Sequence, residues 1–168
     1  MRLEAIRRGY ERTLEWVVIA LMAALAVEVT AGVVFRTVGY SLVWYDEVAS
    51  ILLAWLTFYG SALAAVKRAH IGCPEVVAFL PPGGKLAARI VAEIAVIAFF
   101  LLVGWTGYAV LGVLATDHLV SLPLVPVSFT QSVIPISAVL IVVAELITLP
   151  QVLAAAKAPA QITGGASH

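Results

Sequence analysis

Few residues in this chain could do chemistry, and the most exacting of them are acids set in apolar surroundings. Glu28, Glu93 and Glu145 stand inside long hydrophobic runs. A carboxylate at mid-bilayer costs roughly 2.5–3.5 kcal/mol on insertion scales, so such a group usually faces protein or a wet cavity. Glu28 is the deepest. Ala24, Ala31 and Gly32 share its helical face, and small residues let another helix come close. Two readings fit it: a proton or substrate site, as in small multidrug exporters, or a protonated or hydrogen-bonded glutamate that fixes packing. The second is favoured, because no intramembrane Lys or Arg completes a relay. Glu93 and Glu145 lie nearer one membrane face, where they could pair with basic residues.

The remaining candidates carry no catalytic signature. The sequence has no phosphate-binding glycine loop, GxSxG, HExxH or CxxC pattern. Its three histidines are His70, His118 and His168. The topology below puts His70 and His118 on opposite sides of a membrane, so they cannot share a metal or haem. No enzyme activity, cofactor or metal is expected. Cys73 is the lone cysteine and has no internal disulfide partner. Two charged clusters remain. Trp44-Tyr45-Asp46-Glu47 places acids where a helix begins and its free amides favour them. Lys67-Arg68-Ala69-His70 is a cationic helix end.

The composition says what must position these groups. Of 168 residues 62% are hydrophobic and 12% charged, with a mean hydropathy of +1.06. Ordinary soluble domains carry about 25% charged residues. A soluble enzyme and a disordered chain are both excluded on this ground. The balance of ten basic and ten acidic residues argues against nucleic-acid binding, which needs a basic surface. About 20 helical residues cross a bilayer core of roughly 30 Å. Spans are expected over about 14–36, 46–66, 88–114 and 131–153, all helical because hydrocarbon leaves no other partner for the backbone.

The expected architecture is thus an all-α integral membrane protein with four transmembrane helices forming one domain over residues 14–153. A short amphipathic helix over 1–13 precedes it, with Leu3, Ile6, Tyr10 and Leu14 at spacings of three and four. Residues 154–168 form a flexible tail. The first apolar stretch, about 22 residues long, exceeds the 7–15 of a cleaved signal and is expected to be a retained anchor. Pro74, Pro81-Pro82 and Gly83-Gly84 separate the second and third spans, and the loop over 115–130 is expected to be irregular or re-entrant. With both termini cytoplasmic, nine of the ten Lys and Arg residues fall on the inner side and only Arg36 outside. Trp16 at the inner level and Tyr40, Trp44 and Tyr45 at the outer level match interfacial belts. Gly60-x-x-x-Ala64 marks a face for close packing.

These residues, in this order, resemble a known family. Arg36-Thr-Val-Gly-Tyr-Ser-Leu-Val-Trp44-Tyr-Asp46-Glu47 is similar to the entry of the second helix in the small permease subunit, the Q component, of tripartite ATP-independent periplasmic (TRAP) transporters. Trp55-x-x-Phe58-x-Gly60-x-Ala62, then Lys67-Arg68-x-His70-Ile71, Leu80-Pro81 and Ile134-Pro135-Ile136 continue the likeness, which covers roughly residues 15–150. The chain departs from the family at Cys73-Pro74-Glu75, where an acid stands elsewhere, and at Phe129, where the family often has another aromatic.

The resemblance implies a non-catalytic subunit of the bacterial inner membrane. It would brace a large multi-span permease during sodium-coupled uptake of an organic acid delivered by a periplasmic binding protein. Trp44, Asp46 and Glu47 would then lie near the outer surface. Trp55, Gly60 and Ala64 would pack within the bundle or against the large subunit. Lys67, Arg68 and His70 would meet phospholipid phosphates or a partner at the inner face. Two alternatives are a self-sufficient proton-coupled transporter that dimerises through Glu28, and the small subunit of a tripartite tricarboxylate transporter.

Overall fold

The computed structural model describes residues 2–67 and 81–157. Four long helices carry the fold: α1 (Arg2–Thr37), α2 (Tyr45–Lys67), α3 (Pro82–Val113) and, after a short α4 (Val127–Gln131), α5 (Val133–Lys157). The long four are each apolar enough over sufficient length to cross a membrane. A 3-10 turn, Leu114–Thr116, ends α3. The described residues contain no strand, only an isolated bridge between His118 and Pro126.

Local sequence explains where the helices stop. Gly39 takes a φ of 87°. The Gly39 amide donates to the Arg36 carbonyl (3.2 Å) and the Tyr40 amide to the Phe35 carbonyl (2.9 Å). This is the Schellman arrangement, in which a left-handed glycine lets two amides satisfy the helix's last carbonyls. At the start of α3, Pro81 caps and Pro82 occupies the first turn, where a missing N–H costs nothing.

The amphipathic segment and the first span are one unbroken helix of 36 residues. At 1.5 Å per residue α1 is about 54 Å long, well beyond a bilayer core of roughly 30 Å. Of the expected stripe, Tyr10 and Leu14 turn into the protein while Ile6 stays exposed. Tyr10 donates its hydroxyl to the Leu140 carbonyl of α5 (2.7 Å).

The helices do not pack in chain order. α1 lies against α2, α2 against α5, and α5 against α3. The core sits where α1, α2 and α5 meet, around Leu14, Ala62, Ala65, Val66, Ile141 and Ala144. None of the most apolar stretch of α1 or α3 is buried, against 33% of that in α5. α5 is therefore the inner helix, and its apolar residues are not gathered on one face. Its buried hydroxyls bond within their own helix: Ser137 to the Ile134 carbonyl and Thr148 to the Ala144 carbonyl, both at 3.0 Å. Neither hydroxyl is orphaned by its burial.

Helix contact rests on small residues, but not at Gly60. A Cβ placed at Gly107 would come within 2.9 Å of the Ile134 side chain, and one at Gly104 within 3.3 Å of Ala138. α3 and α5 thus meet through glycines. On α2 the deeply buried small residues are Ala62 and Ala65. Gly60 faces open space and Ala64 is half-buried.

Candidate functional site

The charged residues of α2 reach across to other elements. Glu47, in its first turn, accepts hydrogen bonds from the amides of Val120 (3.2 Å) and Ser121 (2.9 Å) and from the Ser121 hydroxyl. The sequence offered only a helix-start role for this acid. The structure makes it the clasp of the loop between α3 and α4, 73 residues away. That loop is irregular, as expected, yet closed on itself. The Leu119 amide donates to the Val125 carbonyl (3.0 Å) and the Val127 amide to the Asp117 carbonyl (2.9 Å), leaving Val120 and Leu124 exposed at its tip.

At the opposite end of α2, Lys67 joins Glu15 in a salt bridge and lies 3.8 Å from Glu11. Both acids belong to α1, so this cation ties two helices together. Arg68 and His70, its partners in the sequence motif, lie outside the described residues, as do the Cys73-Pro74-Glu75 departure and Leu80. Glu93 is buried, and both it and Glu145 take part in polar interactions.

Trp55 sits between these ends. Its indole N–H donates to the Thr130 carbonyl of α4 (2.9 Å). Its ring lies 5.4 Å from that of Phe129 and 6.4 Å from that of Tyr59. The aromatic before the last span therefore packs on Trp55 inside the chain. Trp105, by contrast, is largely exposed on α3.

Glu28 and Trp44 share a third place. With Ala24, Val27, Ala31 and Leu52 they line a groove of about 540 Å³ between α1, the connection after it and α2. The third small residue on the Glu28 face is already used: the Tyr45 ring covers Gly32 so closely that no side chain fits there. Asp46 is exposed at the start of α2. Within the described residues, then, Glu28 and Trp44 are brought together, while Trp55, Gly60 and Lys67 stand apart from them. Gly39, Gly104 and Gly107 were missed as structural positions. Only the first left a readable signal, a glycine just past the end of a long apolar helix.

Membrane-length helices and an apolar exterior together define a helical integral membrane protein. The chain belongs to the family described as "Tripartite ATP-independent periplasmic transporters, DctQ component", whose model matches residues 25–155. It is thus a small membrane subunit of a TRAP transporter, in a family of transporter components. Comparison with curated proteins finds no match.

Proposed function

We propose that this subunit binds the large permease of its transporter and braces it during sodium-coupled uptake of an organic acid, which a periplasmic binding protein delivers. The family match over residues 25–155 carries this reading. The fold supports it physically. Clasps at both ends of α2 and a glycine-lined contact between α3 and α5 tie the helices into one row. Wide apolar flanks on α1 and α3 are left to lipid and partner.

In this reading both termini are cytoplasmic. Trp44 and Asp46 lie toward the outer face, and Gly60 and Ala64 present small residues to a neighbouring helix. Lys67 is engaged by Glu11 and Glu15, which leaves Arg68 and His70 as the groups for lipid phosphates. Co-expression with the large permease tests the proposal. The two should purify together, and deleting this subunit should abolish sodium-dependent uptake while binding protein is present. Full uptake without it would overturn the reading.

A further inference from the structure

The groove at Glu28 is incomplete. Both carboxylate oxygens are closed off from solvent, and neither has a hydrogen-bond partner among the described residues. Glu28 has no ion pair among the described residues. The walls are apolar, and Ala24 and Ala31 are small enough to let a helix backbone approach.

The occupant must bring a donor to this depth. Glu28 is nine residues before the end of α1 at Thr37, about 13 Å along the helix. An acyl chain lying in this groove would bring no donor. A second copy docked face to face would set Glu28 against Glu28, since a two-fold interface pairs like patches. We propose that a membrane helix of the large permease docks in this groove and meets Glu28 with an Arg or Lys side chain. This rests on the bracing role above and adds the surface and the chemistry by which it is met.

The test uses the co-expressed complex. A photo-crosslinking amino acid replaces Ala24 or Ala31, with Val91 on the far edge of the row as the control position. The 24 and 31 positions should yield adducts with the large permease and Val91 should not. In parallel, Glu28→Gln should lower the large permease recovered with this subunit at least tenfold. Glu28→Arg should do the same and be rescued by an acid at the crosslinked basic residue. Adducts only with a second copy or with lipid, while the permease still co-purifies, would overturn the docking site and leave the bracing role standing. Undiminished recovery with Glu28→Gln would overturn the ionic contact. Failure of the unmodified pair to co-purify would remove the bracing role itself.

Discussion

Replacing Trp55 by Phe keeps a ring beside Phe129 and Tyr59 but removes the donor to the Thr130 carbonyl. A net hydrogen bond contributes about 0.5–1.5 kcal/mol, and interhelical bonds in membranes fall in the same range. Trp55→Phe should therefore lower the thermal midpoint of the detergent-solubilised subunit by a few degrees, read by size-exclusion loss on heating, without abolishing folding. Glu47 acts differently, because its carboxylate holds two amides and a hydroxyl. Glu47→Ala should speed amide exchange over 117–126 in hydrogen–deuterium mass spectrometry, and Glu47→Gln should do so less because its amide oxygen still accepts. Unchanged exchange in both would show that the loop is held by its own turns. The acids of the Trp-Tyr-Asp-Glu motif were legible as residues. Their use was not, since Glu47 finds its partners 73 and 74 positions away and nothing local marks Val120 and Ser121 as its donors.

Among the elements, small residues separate two kinds of helix face. Gly107 is pressed against Ile134 and Pro135, so Gly107→Leu should split α3 from α5 and cut the yield of folded subunit several-fold. Gly60 has nothing near it. Gly60→Leu should leave the isolated subunit folded, and if the large permease packs there it should reduce only recovery of the complex. Comparing subunit and complex yields for the two variants separates the faces. A glycine spacing announces that close approach is affordable but not which neighbour takes advantage of it. That is why Gly60-x-x-x-Ala64 stood out in the sequence while the contact within the chain was made elsewhere. The spans themselves were readable because a bilayer imposes length and polarity on every one of them. The joint between the amphipathic start and the first span was not, because nothing in residues 1–14 breaks a helix.

For the molecule as a whole, the nine-to-one division of Lys and Arg predicts orientation. With Cys73 replaced, a single cysteine at Ser121 should react with a membrane-impermeant maleimide from outside intact spheroplasts, and one at Arg8 only after permeabilisation. The reverse pattern would invert the topology. The charges that balance to zero also hold elements together: Lys67 ties α2 to Glu11 and Glu15 of α1, and Glu47 holds the loop at Val120 and Ser121.

The contact order α1–α2–α5–α3 also bears on synthesis. A chain emerging from the ribosome completes the α1–α2 hairpin early, since its halves are adjacent. α3 then enters the bilayer before the helix it packs on has been made. It must wait as a lone span, and its charge-free stretch from Ile94 to Val113 suits it to do so with every backbone group bonded internally. When α5 arrives it slides between α2 and α3, and only then does the Trp55 bond to Thr130 close. A truncation ending before Val127 should therefore insert three spans yet leave the third free to wander from the other two.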